Sequence, residues 1–378
     1  MKHYSLLYLL LTLSQLAASQ TLLRGHVVDG ETGEALPYAR VQSSMHVTLS
    51  NRVGDFGIYG AEDDTLTISY VGFRKMTVTG GQLPDTIRLK PMTKEMTEVV
   101  ILPQPREDIL NLICEKLHED YEAYKNETAL YFFRAYTEQN DSACEVLEGF
   151  YDAFCTINIA DMLMVSGKTY TPGQEGTKEY EKTNMQKLFF LGPVIFDEKF
   201  WKQTLQPLSE EDIRKAYDID ITPIRDEEDN RIYKIRFLYN GWLPSGWPGR
   251  TLIQGMLYVD AATYGLLHFD GELMGMRQTF DGIRKAMKLT FRVDYSHERG
   301  FTEVSHISFD GGTSTLSYHC LLFKVDEGMQ LTNPSATGNL VKDIQTVGYD
   351  QSLWEKYDIV RRTEEEERLT ERAKMQAE

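Results

Sequence analysis

The sequence has no apolar segment of the length that a membrane-spanning helix needs, which is about 20 residues. Its apolar run near the N-terminus, residues 6–11, is far shorter. Lys2 and His3 precede this run, and the small residues Ala17-Ala18-Ser19 follow it before Gln20, which is the pattern of a secretory signal peptide. We therefore predict export, with residues 1–19 removed and the mature chain in the periplasm or at the periplasmic face of the outer membrane. An uncleaved anchor is the alternative.

Positive charge and cysteine are both scarce. The 40 basic residues are outnumbered by 57 acidic residues, and the net charge of −17 argues against nucleic acid and anionic lipid surfaces as partners, because both need a basic face. The four cysteines, Cys114, Cys144, Cys155 and Cys320, are too few for a disulfide framework. If Cys144 and Cys155 share one strand, they lie on opposite faces and cannot bond to each other. A pair with Cys320 and buried free thiols both remain open.

Common catalytic signatures are also missing from the sequence. There is no Gly-x-Ser-x-Gly elbow, and Pro244-Ser245-Gly246 does not supply one. There is no glycine-rich phosphate loop either, because Asp310-Gly311-Gly312-Thr313 has the composition of a hairpin turn. We expect no enzymatic activity and no cofactor, and a hydrolase is the least favoured alternative.

The N-terminal part of the mature chain is predicted to consist of short strands. Apolar and polar residues alternate in five short segments, at residues 22–28, 39–41, 56–59, 66–71 and 86–89. Glycine and aspartate occupy the turns at residues 29–33 and 51–55, and no stretch is patterned as a helix. Closely spaced strands and turns of this kind indicate a β-sandwich over residues 20–101.

Five motifs in this region occur in the order in which a known family has them. They are GHVVD at residues 25–29, TGEALPYARV at 32–41, GDF at 54–56, LTISYVGF at 66–73 and TEVVI at 97–101. Together they resemble the carboxypeptidase regulatory-like domain over residues 21–101. The resemblance implies a seven-stranded, transthyretin-like sandwich of the kind that stands at the front of outer-membrane nutrient receptors and envelope proteins. It implies no peptidase, because a zinc site needs His-x-x-Glu spacing, which the adjacent pairs His118-Glu119 and His297-Glu298 do not provide.

Residues 102–126 are predicted to form a linker and a short helix. Pro103 and Pro105 stiffen the start of this segment. Apolar residues then recur at helical spacing at positions 109, 112, 113 and 117.

Long strands follow over residues 127–348, which we predict to be a larger antiparallel β domain with helices. The expected strands are residues 130–136, 144–158, 231–239, 254–259, 265–272, 287–295, 303–309 and 315–325. Residues 255–260 and 263–267 alternate on either side of a turn, so that one face of the sheet is apolar and the other is polar. Repeated strand pairs of this kind resemble the half-barrel of periplasmic lipoprotein carriers. The predicted fold class is therefore mainly β.

The chain ends in residues 349–378, which have two different compositions. Tyr349, Leu353, Trp354, Tyr357 and Ile359 give the first part an apolar surface that we expect to dock on the sheet. Residues 364–378 alternate acidic and basic side chains, which is typical of a solvated helix. An interaction tail is the alternative interpretation of this last part.

A loop rich in glycine, proline and aromatic residues supplies the candidate contacts for a partner or ligand. Residues 239–250 include Tyr239, Trp242 and Trp247, and exposed aromatic side chains can stack on sugars or anchor a protein. The alternative is that these rings fold back over the end of the sheet. The apolar stretch at residues 188–196 also has two interpretations, because it can form part of the core or line a pocket for an acyl chain.

Three functions are compatible with these features. The first is a non-enzymatic envelope protein that binds or scaffolds an outer-membrane or periplasmic partner, or a carbohydrate. The second is a periplasmic carrier that shields a lipid or another apolar ligand in a half-barrel. The third is a hydrolase, which the missing signatures disfavour.

Overall fold

The computed structural model describes most of the chain after the predicted signal peptide. The described residues are 21–92, 104–124, 126–139, 142–154, 162–170, 215–226, 228–241, 252–280, 283–297, 302–310, 316–328, 340–357 and 360–377. The chain divides into two compact units. Met1–Met92 with Glu355–Thr363 form the first unit, and Thr93–Trp354 with Glu364–Glu378 form the second.

The first unit contains two sheets that share one core. One sheet has three strands in the order β4-β1-β7, and the other has four in the order β3-β2-β5-β6. The strands are β1 (Thr21–Asp29), β2 (Arg40–Gln42), β3 (Val47–Leu49), β4 (Asp55–Gly60), β5 (Thr65–Ser69), β6 (Met76–Thr79) and β7 (Thr86–Leu89), with a short 3-10 helix at Gly80–Gln82 before β7. Val27, Phe56 and Ile87 of the first sheet and Val41 and Ile68 of the second are all fully buried in this core. The predicted seven-stranded sandwich is confirmed.

The turn before β4 shows how local chemistry fixes this unit. The side-chain Oδ1 of Asn51 accepts hydrogen bonds from the backbone N–H groups of Val53 (3.0 Å) and Asp55 (2.9 Å). Gly54 has a φ of +89°, which few side-chain-bearing residues tolerate. The turn therefore places Phe56 in the core at the start of β4.

The second unit is built on one antiparallel sheet of ten strands. Their order is β10-β9-β8-β17-β16-β15-β14-β13-β12-β11. The strands are β8 (Thr128–Gln139), β9 (Ser142–Phe154), β10 (Met162–Tyr170), β11 (Tyr217–Arg225), β12 (Arg231–Tyr239), β13 (Leu252–Asp260), β14 (Leu266–Phe280), β15 (Ile283–Tyr295), β16 (Thr302–Asp310) and β17 (Leu316–Glu327). Four helices accompany them, namely α1 (Arg106–Tyr124), α2 (Leu340–Val347), α3 (Gln351–Lys356) and α4 (Glu364–Ala377).

The ladder of this sheet carries six register shifts. They lie between Met164/Ser166, Tyr258/Val259, Met274/Met276, Asp294/Tyr295, Lys324/Asp326 and Thr137/Glu138. Each extra residue bends its strand and increases the local twist, which is how antiparallel sheets become curved. Aromatic rings also lie over glycines of neighbouring strands: a Cβ at Gly149 would sit 2.6 Å from Phe133 Cε1.

The fold class was predicted correctly, because the described chain is mainly β with a few helices. The strands β3, β6, β10 and β11 were not predicted from the sequence. Within the described ranges, no helix is both long and apolar enough to cross a bilayer.

Candidate functional site

The ten-stranded sheet has one face that is apolar across its whole width, which we call the apolar face. Directly opposed residues in neighbouring strands point to the same side, so the register assigns every side chain to a face. The row Phe237, Gly255, Gly271 and Phe291 follows β12 to β15 on the apolar face. Its fully buried members from the described strands include Tyr131, Phe133, Tyr151, Tyr233, Ile235, Phe237, Leu257, Val259, Phe269, Leu289, Val293, Ile307 and Leu322.

Aromatic rings dominate the middle of the apolar face. The ring centroids of Phe237 and Phe269 are 5.6 Å apart, and those of Phe269 and Phe291 are 4.6 Å apart with their planes at 69°. Phe291 and Phe237 flank Gly271 and Gly255, where an added Cβ would clash with backbone atoms of the neighbouring strand. The two glycines therefore let the rings pack over the backbone.

Helix α1 covers part of the apolar face. Ile109, Leu110 and Ile113 in its first half are buried in the same core as the strands. In its second half, Leu117 and Tyr124 are only partly buried against that core. The first residue of the helix is fixed at the sheet edge, because Arg106 Nη1 donates a hydrogen bond to the carbonyl oxygen of Ile219 (2.9 Å).

The opposite face is covered by helices where β8, β9 and β10 lie. Trp354 of α3 packs edge-on against Phe150 (centroids 5.1 Å apart) and Phe132 (6.2 Å), and its Nε1 donates to Ser166 Oγ (2.9 Å). Lys168 lies over the Trp354 ring at 4.2 Å, and the N–H of Gly167 donates to the carbonyl oxygen of Gly348 (2.9 Å). These contacts cover both the surface and the outer edge of β10.

A buried ion network holds α4 on the same part of the sheet. Arg134 Nε of β8 lies 2.6 Å from Glu148 Oε1 of β9, and Arg134 Nη1 lies 3.5 Å from Glu366 Oε2 of α4. The side chains of all three residues are at most 6% exposed. Leu369 of α4 completes the contact by packing with Tyr136 and Val146.

The rest of the opposite face carries ionic side chains. His268 Nδ1 contacts Asp294 Oδ1, and His268 Nε2 lies 3.2 Å from Asp270 Oδ2. Burial opposes ionisation of Asp294, but the charge of Arg292 and the hydrogen bonds from His268 and Arg292 outweigh it and lower the pKa of this carboxyl group. Both nitrogens of His268 are thus engaged by carboxylates, so the ring is not placed to activate a nucleophile.

Other polar groups on this face are paired across strands. Lys288 Nζ lies 2.6 Å from Glu272 Oε1, and the hydroxyl oxygens of Thr290 and Ser308 are 2.6 Å apart. Among the described residues, no group of three or more histidine, cysteine, aspartate or glutamate side chains is arranged to hold a metal ion. The ionic side chains therefore form structural cross-strand pairs, and the apolar face is the stronger candidate for a binding site.

The structure locates one of the three predicted contact residues. Tyr239 ends β12 at the margin of the apolar face, where it is partly buried and packs edge-on against Tyr217 at 6.4 Å. Trp242 and Trp247 lie outside the described residues, and so does the apolar stretch at residues 188–196. Their proposed roles stay predictions. The residues that form the apolar face were not predicted from the sequence, although the strand alternation that produces this face was visible there.

The structure describes two of the four cysteines with their side chains, Cys114 and Cys320. Cys320 is a free thiol buried in the apolar face, where burial raises its pKa, and Cys114 on α1 forms no disulfide within the described part of the chain. The buried free thiol, rather than a disulfide, is therefore the correct alternative for Cys320. Cys144 lies in β9, but its side chain and all of Cys155 fall outside the described residues.

Comparison with known proteins supports the resemblance of the N-terminal region. Residues 23–101 match the family model of the CarboxypepD_reg-like domain, which confirms that part of the sequence interpretation. A search of curated proteins gave no match. Among solved structures, a DUF1329 family protein from Desulfovibrio piger aligns with 8% identity over 59% of this chain and 95% of its own, with a TM-score of 0.23. At that TM-score the alignment supports no argument about this chain.

Proposed function

We propose that this chain is a non-enzymatic binding protein of the cell envelope that holds an apolar or amphiphilic ligand against the apolar face of its ten-stranded sheet. One observation carries the proposal: a single sheet presents a continuous aromatic and aliphatic face to which all ten strands belong. Ligand sites in proteins are mostly apolar and concave, and curved antiparallel sheets commonly form them. The six register shifts supply the means of curving this sheet.

In our proposal, a ligand reaches this face when the second half of helix α1 moves away from it. The second half of the helix rests on the sheet through side chains that are only partly buried, Leu117 and Tyr124. Apolar contacts stabilise in proportion to the area that they remove from water, so this half is held less strongly than the half with Ile109 and Ile113. Opening it exposes aromatic surface without disrupting the ladder.

A dye-binding experiment on the full chain tests the proposal. N-phenyl-1-naphthylamine fluoresces when it enters an apolar site, and we expect the purified protein to bind it. Leu117→Gln should strengthen dye binding about fivefold, because it removes apolar contact worth about 1 kcal/mol that holds this half of the helix over the face. Glu115→Gln creates the same residue on the exposed side of the same helix and is the matched control. A protein that binds neither the dye nor any lipid in native mass spectrometry contradicts the proposal.

The sandwich supports a second role, as a docking module for an envelope protein. Leu22 on β1 and Tyr59 on β4 are opposed across the ladder, and they are 41% and 46% exposed. Exposed apolar surface that is contiguous, rather than scattered in single residues, marks contact sites on proteins. Leu22→Ser with Tyr59→Ser should reduce copurification of a membrane protein without lowering the stability of the sandwich. Unchanged copurification would remove this surface from consideration.

Location in the envelope is part of the proposal and rests on the N-terminal sequence. Intact-mass measurement of the protein from its host should give a chain that begins at Gln20 or nearby. A chain that retains Met1 and stays in the cytoplasm refutes the envelope assignment.

A further inference from the structure

Three hydroxyl groups are buried at one end of the apolar face without a hydrogen-bond partner among the described residues. They belong to Tyr295 at the end of β15 and to Thr302 and Ser305 at the start of β16. Tyr295 is 5% exposed, and the other two are 0% exposed. A buried hydroxyl without a partner is unfavourable and therefore rare, so three in one place call for an explanation.

The ladder brings these residues together. Tyr295 and Thr302 are directly opposed at the register shift of β15 and β16. Ser305 is opposed to Val293 of β15 and to Leu322 of β17, and both of these belong to the apolar face. Tyr295 and Ser305 are thus on the same side of the sheet as the aromatic core.

Neighbouring groups give this end of the face a polar character. Tyr131 of β8 donates a hydrogen bond from its hydroxyl to the carbonyl oxygen of Thr302 (2.9 Å). Lys324 of β17 is opposed to Tyr131 in the same row, and its Nζ lies 3.3 Å from Glu327 Oε1. The carboxylate of Asp294 does not compete for the hydroxyls, because Arg292 and His268 hold it on the opposite face.

We infer that this corner, Tyr295, Thr302 and Ser305, binds the acyl oxygen of an amphiphile whose hydrocarbon chain lies along the apolar face. Each hydroxyl donates one hydrogen bond, and a carbonyl or carboxylate oxygen accepts two or more. A fatty acid and a fatty acyl ester share this chemistry. The inference rests on the proposed function and adds the ligand class and its orientation, with the head at the β15–β16 corner.

Competition against the bound dye in the full chain tests the inference. Dodecanoate, methyl dodecanoate and dodecane have similar chain lengths and differ in their oxygen atoms. We expect the first two to displace the dye at least tenfold more effectively than dodecane does. A stronger effect of dodecanoate than of its ester would identify a free carboxylate, and equal effects would identify an ester or carbonyl oxygen.

Variants then assign the preference to the corner. Tyr295→Phe and Ser305→Ala should each reduce the preference for the oxygenated ligands about two- to tenfold, the range for one lost hydrogen bond. Neither variant should lower the melting temperature of the ligand-free protein, because each removes a hydroxyl that has no partner in the fold. Ser308→Ala, whose hydroxyl pairs with Thr290 on the opposite face, is the control and should leave the preference unchanged.

The outcomes separate this inference from the proposed function. If the dye binds but dodecane competes as well as dodecanoate, the headgroup corner is refuted and the apolar site stands. The corner is also refuted if Tyr295→Phe and Ser305→Ala both retain the full preference. If Tyr295→Phe does not fold, Ser305→Ala alone decides. A wild-type chain that binds no dye and no competitor refutes the proposed function and this inference together.

Discussion

Replacing Arg134 by methionine should be among the most damaging substitutions in the second unit. The guanidinium lies between two buried carboxylates, Glu148 at 2.6 Å and Glu366 at 3.5 Å. Methionine keeps most of the aliphatic stem but leaves both carboxylates buried without this cation. Removing one partner of a buried ion pair costs about 3–5 kcal/mol, and we expect a loss in that range. The amide protons of α4 should also exchange faster, because Glu366 anchors the helix.

Urea unfolding followed by circular dichroism measures this loss. Arg368→Met is the matched control, because Arg368 pairs with Glu364 at 2.9 Å on the exposed surface of α4, where a pair is worth about 1 kcal/mol or less. The double variant Arg134→Met/Glu148→Met should recover part of the loss, since it removes one of the two buried carboxylates that Arg134→Met leaves without their cation. If Arg134→Met is no more destabilising than Arg368→Met, the buried network does not hold α4 on the sheet.

Three further predictions concern single substitutions, the first two from the structure and the third from the sequence. Phe56→Ala should destabilise the sandwich by about 3–5 kcal/mol in thermal melts, because its ring is fully buried, and a loss below 1 kcal/mol would contradict that packing. The lowered pKa of Asp294 contributes stability at pH values above the ordinary pKa of 3.8, and this stability is lost as the pH falls through the lower pKa of the folded state. Asp294→Asn should therefore be less stable than wild type at neutral pH, by a margin that shrinks in acid. A margin that does not change with pH would refute this prediction. Trp242→Ala and Trp247→Ala should leave the melting temperature nearly unchanged if these rings bind a partner, whereas large losses would assign both to the core.

The sequence predicted those parts of the fold whose causes are local. The hairpin of β13 and β14 is an example, because Asp260 accepts hydrogen bonds from the N–H groups of Ala262 (2.9 Å) and Thr263 (2.7 Å) within the turn itself. Alternation on either side of such a turn sets the faces of both strands. β11 was missed because Pro223 and its aspartates depart from the usual composition of a strand.

Features that depend on distant residues could not be predicted in the same way. β8 and β9 are buried on both faces, and nothing in the local sequence distinguishes Arg134 and Glu148 from charged strand residues that face solvent. Their role became visible only with Glu366, which follows them by more than two hundred positions. The hydroxyl corner is similar, since Tyr295 and Ser305 are common strand residues whose burial depends on the register of β15, β16 and β17.

The pairing of β8 with β17 also has a consequence for the order in which the second unit assembles. Every other neighbouring pair in the ten-stranded sheet is consecutive along the chain, whereas Ala135 of β8 meets Cys320 of β17. Local hairpins close quickly, and a pairing between distant segments is slow. During synthesis β8 to β10 emerge first, but Phe132 and Phe150 receive Trp354 only when the C-terminal helices have been made. Completion of this seam is therefore the expected slow step of folding, and until then these aromatic side chains are open to aggregation and to chaperones.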